Sequence, residues 1–125
     1  MNPGLASGID LVEISRFREL SPAIRDRFFL RVFTQQEREN IRGSFERAAG
    51  IFAAKEALAK ALGCGVGPIR WQEIEVLRDE AGKPELSLSG NALSMAEKKG
   101  IREWSVSISH TKNHAVAMVI CIIAN

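Results

Sequence analysis

The chain has 125 residues, of which 46% are hydrophobic and 26% are charged, and its 17 Lys and Arg against 15 Asp and Glu give a formal net charge of +2. This composition is typical of a globular domain and excludes a disordered chain, and so small a net charge gives no support to nucleic-acid binding. The length predicts one domain over residues 1–125, too small to enclose a large ligand without a shallow groove or a second subunit.

The termini and the cysteines predict a cytoplasmic protein that does not enter a membrane. Residues 1–8 lack the basic start and apolar run of a secretory signal. The longest apolar run, residues 115–124, has about half of the ~20 residues that a membrane-spanning helix needs. Cys64 and Cys121 are far apart in the sequence and are predicted to be plain thiols.

In the first half of the chain, apolar periodicity predicts one strand followed by four helices. The strand is predicted at 5–12, and the helices at 13–20, 22–31, 34–41 and 44–63. Three local signals set the helix ends. Ser21 before Pro22 fits an N-cap with proline at the first helical position, Thr34 and Glu37 fit a capping box, and Gly63 fits a C-terminal cap.

In the second half of the chain, alternating apolar residues predict mainly antiparallel strands. The predicted strands are 71–78, 85–89, 103–109 and 115–123, with a helix at 91–99 and a tight turn at 110–114. The class is therefore α+β, a mostly antiparallel sheet packed against one long and several short helices.

The basic residues are divided unevenly between the two halves. From Met1 to Arg47 every basic residue is arginine, and every lysine comes later. Because a guanidinium binds carboxylates and phosphates with two donors, this half suits an acidic partner. On charge alone the favoured interpretation is a solvated face whose arginines pair with neighbouring Asp and Glu.

Two carboxylates could carry chemistry. Asp10 lies within an apolar strand, where Asp is depleted, and either a bound cation or a cap of the following helix explains it. Glu56 and Lys60 have the spacing of a surface ion pair on a helix. Together with Asp10 they also have the composition of a site that holds Mg2+ against phosphates.

Two further motifs have an ordinary and a functional interpretation. Gly63, Gly65 and Gly67 follow a helix, whereas a dinucleotide fingerprint follows a strand, so a cap and a turn are favoured. His110, in the predicted turn, could donate to a phosphate, although a turn histidine that hydrogen-bonds backbone is commoner.

Several segments together resemble the holo-acyl-carrier-protein synthases, the small bacterial 4'-phosphopantetheinyl transferases. These are Gly8 to Ile14 with Arg16, Phe52 to Gly63 (FAAKEALAKALG), Trp71 to Val76, Gly82 to Pro84 and Val106 to His110. They occur in the family's order and span nearly the whole chain.

The resemblance implies the phosphopantetheinyl transferase fold and transfer of the phosphopantetheine arm of coenzyme A to a serine of apo-acyl-carrier protein, in support of fatty acid biosynthesis. Asp10 and Glu56 would bind Mg2+, and Lys60 would neutralise the pyrophosphate, so that Glu56 and Lys60 are the catalytic residues. Glu56 and a metal-bound water are both candidates for the base. The loop around Gly65 would border the pantetheine arm, and His110 would lie near the nucleotide phosphates.

The resemblance also implies partners. Arg16, and more loosely Arg27, would dock the acidic carrier protein, and the chain would form a homotrimer with coenzyme A between neighbours. One departure is Ile51, where the family commonly has arginine. Either Arg47, one turn earlier, compensates as a cofactor-binding cation, or coenzyme A binds more weakly. Ile51 is also the sequence support for an alternative, a non-catalytic module of the same fold that holds carrier protein or a nucleotide.

Overall fold

The computed structural model describes residues 4–65 and 67–124. Within them the strands are β1 Gly4–Glu13, β2 Ile74–Arg78, β3 Pro84–Leu88, β4 Ile101–His110 and β5 His114–Ile123. The helices are α1 Ser15–Glu19, α2 Pro22–Val32, α3 Gln35–Ile41, α4 Phe45–Leu62 and α5 Gly90–Lys98. The strands pair antiparallel in two sheets, one of order β1-β5-β4 and one formed by the hairpin β2-β3. The predicted α+β class is confirmed.

The long helix α4 lies across the inner face of the three-stranded sheet. Asp10, Ala117 and Ile108 occupy one row of this sheet, because Ala117 pairs with Asp10 on one side and with Ile108 on the other. Close approach needs small residues. A Cβ on Gly8 would lie 1.9 Å from the Ala57 carbonyl oxygen, so only glycine lets β1 pack this tightly on α4.

The same helix approaches the opposite edge of the sheet with its first half. A Cβ on Gly50 would lie 2.9 Å from the Ile108 side chain of β4. The C-terminal half of α4 therefore contacts β1, and its N-terminal half contacts β4.

The predicted helix caps are confirmed. The Ser21 hydroxyl accepts from the amide of Ile24 at 3.4 Å, and Thr34 and Glu37 form the complete capping box. Gly63 ends α4 in the left-handed conformation, with φ of 75°.

One predicted element is wrong in part. The predicted strand at 71–78 begins only at Ile74, because residues 71–73 form a 3-10 turn. The Glu73 carboxylate accepts from the amide of Arg70 at 2.8 Å and from that of Asn91 at 2.9 Å. These bonds hold residues 71–73 in a turn. A strand at this position would instead need backbone amides that are free to pair with a neighbouring strand.

A buried ion pair joins three elements beneath the sheet. Lys55 Nζ lies 2.7 Å from Glu37 Oε1, and neither side chain is exposed. The ammonium also donates to the carbonyls of Trp71, at 3.0 Å, and Ile74, and Glu37 Oε2 accepts from the amide of Val76 at 2.7 Å. Since every donor of the ammonium has an acceptor, the pair fixes α3 and β2 to α4.

The outer face of the three-stranded sheet is apolar and exposed on β1 and β5. Its exposed members are Leu5, Ile9, Leu11, Met118, Ile120 and Ile122. A contiguous apolar face of this kind marks an interaction surface. Across the described ranges 4–65 and 67–124, none of the helices is both long enough and apolar enough to cross a membrane; the cytoplasmic location stays a prediction.

Candidate active site

Asp10 is held on the inner face of β1 by a lysine from α4. Lys60 Nζ donates to Asp10 Oδ1 at 3.0 Å and to the carbonyl of Ile9 at 2.9 Å. The Asp10 side chain is 11% exposed and that of Lys60 is 55% exposed. The helix-cap interpretation of Asp10 is wrong, since the N-cap of α1 is Ile14 and receives no side-chain hydrogen bond. Lys60 forms its ion pair with Asp10, not with Glu56 one turn before it.

Glu56 lies beside Asp10 and shares its environment. Burial raises the pKa of Glu56 to about 7, with further contributions from a hydrogen bond to Asp10 and from its negative charge, while Lys60 and Arg16 oppose the shift. The other Asp10 oxygen, Oδ2, is buried, and apart from a protonated Glu56 it has no hydrogen-bond donor among the described residues. Two carboxyls this close need either a proton or a cation between them.

This donor set fits a hard divalent cation. Mg2+ usually takes one or two protein carboxylates and fills its shell with water and substrate oxygens. An orphaned carboxylate oxygen beside a carboxyl that retains its proton near neutral pH is the signature of a place where a cation replaces that proton. Within residues 4–65 and 67–124 no three His, Cys, Asp or Glu side chains converge. The cation would therefore depend on substrate and water for its remaining ligands.

A second group of site residues lines a groove of about 440 Å³ between α4, β2 and β4. Its lining residues are Asn40, Glu46, Arg47, Gly50, Ile51, Val76, Arg78, Ile108 and His110. A neighbouring shallower depression shares Arg47 and His110 and adds Lys112. Arg47 and His110, predicted to bind the cofactor, are thus brought together by the fold, and Ile51 lies in the groove beside them.

The two groups lie on opposite faces of α4. Arg47 and Glu56 are about two and a half helical turns apart, since an α-helix has about 3.6 residues per turn. The Asp10 and Glu56 pair is therefore not part of the groove lining in the same chain. Gly65 is exposed just beyond the C-terminal end of α4, near Lys60 in the sequence. Val66 of the same predicted loop lies outside the described residues.

The two predicted docking arginines lie on the arginine-rich helices. Arg16, in α1, is exposed, and its charge acts on Glu56 and lowers the pKa of that carboxyl. Arg27, in α2, is exposed as well, and the same helix exposes 49% of Ile24 and 60% of Leu30. A cationic surface with apolar side chains therefore extends from the edge of the carboxylate site along α2.

Two contributions were missed by the sequence analysis. Arg78 lines the groove from β2, and nothing in the local pattern of a strand-end arginine indicates it. The Lys55–Glu37 pair was missed as well. A lysine between alanines inside an otherwise apolar helix is a signal for a buried charge, but it does not name the partner.

Comparison with known proteins decides the family. Residues 6–119 match the family described as the 4'-phosphopantetheinyl transferase superfamily. The chain belongs to the 4'-phosphopantetheinyl transferase superfamily. A relative from Alkaliphilus metalliredigens, named holo-[acyl-carrier-protein] synthase, is 47% identical over 122 residues that cover 90% of this chain and 94% of the relative.

Solved structures of the family have the same architecture. Holo-[acyl-carrier-protein] synthase from Helicobacter pylori, in complex with coenzyme A, superposes with a TM-score of 0.83 at 29% identity, covering 92% of this chain and 98% of that one. The complex of the synthase from Chronobacterium ammoniagenes with coenzyme A gives 0.84 at 32% identity, covering 98% and 99%. The phosphopantetheinyl transferase fold predicted from the motifs is confirmed.

Proposed function

We propose that this protein transfers the 4'-phosphopantetheine arm of coenzyme A to a serine of apo-acyl-carrier protein, releases adenosine 3',5'-bisphosphate, and thereby supports fatty acid biosynthesis. The observation that carries the proposal is the cluster of Asp10, Glu56 and Lys60, with an orphaned carboxylate oxygen and a pKa of about 7 at Glu56. The family membership and the coenzyme A complexes of two relatives support the same chemistry. The proposal treats residues 1–125 as one catalytic domain.

Asp10 and Glu56 would hold Mg2+, which supplies positive charge to the pyrophosphate when it is bound. Lys60 extends its half-exposed ammonium over the same carboxylates, where it binds a non-bridging phosphate oxygen and stabilises the charge that develops on transfer. The attacking serine must lose its proton, and Glu56 or a water beside it would accept that proton. The chain's own contribution is thus positioning, charge and a nearby proton acceptor.

We propose that the working unit is a homotrimer in which each site lies between neighbours. The groove that contains Arg47 and His110 and the cluster of Asp10, Glu56 and Lys60 lie on opposite faces of α4, so two neighbouring chains can each offer one of them to the same coenzyme A molecule. The exposed apolar face of β1 and β5 supplies a surface for such an assembly. In this arrangement the groove residues Arg47 and His110 bind the nucleotide end, and Gly65 borders the arm.

The proposed protein partner is acyl-carrier protein, docked on α1 and α2. Arg16 and Arg27 supply positive charge for an acidic surface, and exposed Ile24 and Leu30 supply apolar contacts. Because Arg16 also acts on Glu56, docking there brings the acceptor serine to the carboxylate cluster.

The direct test is to incubate the protein with coenzyme A, Mg2+ and apo-acyl-carrier protein and to weigh the carrier by mass spectrometry. We expect a mass gain equal to one phosphopantetheine. No gain with any divalent cation would contradict the proposal. Coenzyme A binding without product would instead support the non-catalytic module, the alternative for which Ile51 in the groove is the supporting observation.

A further inference from the structure

The groove between α4, β2 and β4 is lined by two arginines that come from different elements. Arg47 projects from α4, and Arg78 projects from the end of β2. The other lining residues include the apolar Ile51, Val76 and Ile108 and the polar Asn40 and His110. An anion held in this groove therefore has the guanidinium groups of Arg47 and Arg78 as its charged donors, with His110 beside them.

The charges of both arginines are available to a ligand. Glu46, the one carboxylate among the described lining residues, is engaged with Arg18 at 3.3 Å. Neither Arg47 nor Arg78 has a carboxylate partner within residues 4–65 and 67–124.

Each guanidinium is nevertheless held in place by a backbone carbonyl. Arg78 Nη1 donates to the oxygen of Gly82 at 2.8 Å, and Arg47 Nη1 donates to that of Asn40 at 3.3 Å. Since a guanidinium has five donors, one such bond orients the side chain and leaves the rest of the fork for a phosphate.

We propose that Arg78, together with Arg47, binds the 3'-phosphate of coenzyme A. The inference rests on the proposed function. Coenzyme A carries a pyrophosphate and one ribose 3'-phosphate. In the proposed assembly the pyrophosphate reacts beside Lys60 of the neighbouring chain, so the phosphate that remains for the groove is the 3'-phosphate. The β2-β3 hairpin thereby supplies the positive charge that Ile51 does not.

The test compares coenzyme A with dephospho-coenzyme A, which lacks only the 3'-phosphate. A hydrogen bond to a charged group contributes about 1.5–3 kcal/mol. We therefore expect Arg78→Met to raise the KM for coenzyme A about tenfold or more, with kcat and the KM for dephospho-coenzyme A unchanged. Arg102→Met, which removes an exposed arginine of β4 outside the groove, is the matched control and should leave both KM values unchanged.

An equal rise with both substrates, or no rise with either, would overturn the assignment. Arg78→Lys, which restores the charge, should recover part of the loss, and thermal unfolding of both variants reports whether the hairpin is intact. If the wild-type protein transfers nothing, calorimetric titration with adenosine 3',5'-bisphosphate and with adenosine 5'-monophosphate still decides the point. Arg78→Met should then weaken only the bisphosphate, so failure of the proposed function and failure of this inference are separable.

Discussion

Two lysine–carboxylate pairs on α4 have the same chemistry and opposite surroundings. Lys55 and Glu37 are fully buried, and each of their polar atoms has a partner. Lys60 and Asp10 are paired at 3.0 Å, but the lysine is 55% exposed and Asp10 Oδ2 has no donor among the described residues. Only the second pair has another carboxyl beside it.

The difference teaches how to distinguish a structural charge pair from a reactive one. A buried pair whose hydrogen bonds are complete cannot accept a ligand without losing contacts, and breaking it leaves an uncompensated charge. Burial lowers the pKa of Lys55, and Glu37 opposes that shift, so the two residues stabilise one another. At Asp10 the missing partner and the raised pKa of Glu56 mark a place that a cation or substrate completes.

The strongest test of the comparison removes the carboxylates of the site formed by Asp10, Glu56 and Lys60. We expect Asp10→Asn and Glu56→Gln each to reduce the transfer rate by on the order of 10³-fold or more, because each removes charge that would hold the metal. The free energy of unfolding should change little for Asp10→Asn, since the amide oxygen can still accept from Lys60 and Oδ2 accepts no bond. Glu97→Gln, an exposed residue of α5, is the control. Full activity in either site variant would remove that residue from the proposed metal site.

The second test breaks the buried pair of Lys55 and Glu37, where we expect a loss of stability in place of a loss of activity. Lys55→Met should destabilise the protein by about 3–5 kcal/mol in urea unfolding, because it leaves Glu37 charged and buried. Lys60→Met should cost less than Lys55→Met, because the Lys60 side chain is half-exposed, and it should abolish transfer. Adding Glu37→Gln to Lys55→Met should recover part of the stability. Similar stability losses in both single variants would contradict the distinction.

Local signals predicted the ends of elements but not the contacts between them. The capping box of Thr34 and Glu37 was readable because all its atoms lie within one turn. That Glu37 also binds Lys55 depends on how α3 packs on α4, and no local pattern encodes that packing. Residues 71–73 alternate like a strand, yet the carboxylate of Glu73 bonds to the amide of Asn91 and holds a turn.

The candidate site could be predicted from the family's motifs, but not from residue types and spacing alone. Asp10 is an unusual residue for a strand, whereas Glu56 has the ordinary spacing of a surface ion pair with Lys60, and only the family's motifs join the two in one site. The choice depends on the tight packing of Gly8 against Ala57, which brings Lys60 to Asp10. Arg78 could not be found from the sequence, because its place in the groove depends on how the β2-β3 hairpin packs beside α4.

A third test uses the pH dependence of the metal-free protein. The folded pKa of Glu56, about 7, lies above its ordinary value of 4.5, so the folded state binds the proton more tightly. Its contribution to stability is complete below about pH 4.5 and is lost as pH rises to about 7. Because the group is partly exposed, we expect a loss on the order of 1 kcal/mol. The difference in unfolding free energy between wild type and Glu56→Gln, measured from pH 4 to 8, should show this slope; a constant difference would contradict it.

The smallest expected effect concerns Arg16, an exposed residue near the Lys60 and Asp10 pair. Arg16→Ala should raise the KM for acyl-carrier protein about two- to fivefold and weaken its salt dependence, since exposed ion pairs contribute about 0.2–1 kcal/mol. The KM for coenzyme A should not change. The same variant removes a cation that lowers the pKa of Glu56, so the pH transition of the metal-free protein should move upward. Arg102→Ala, with the same loss of charge on β4, should alter neither quantity. An altered carrier KM without the pH shift would separate docking from the carboxylate site and place Arg16 on the partner surface alone.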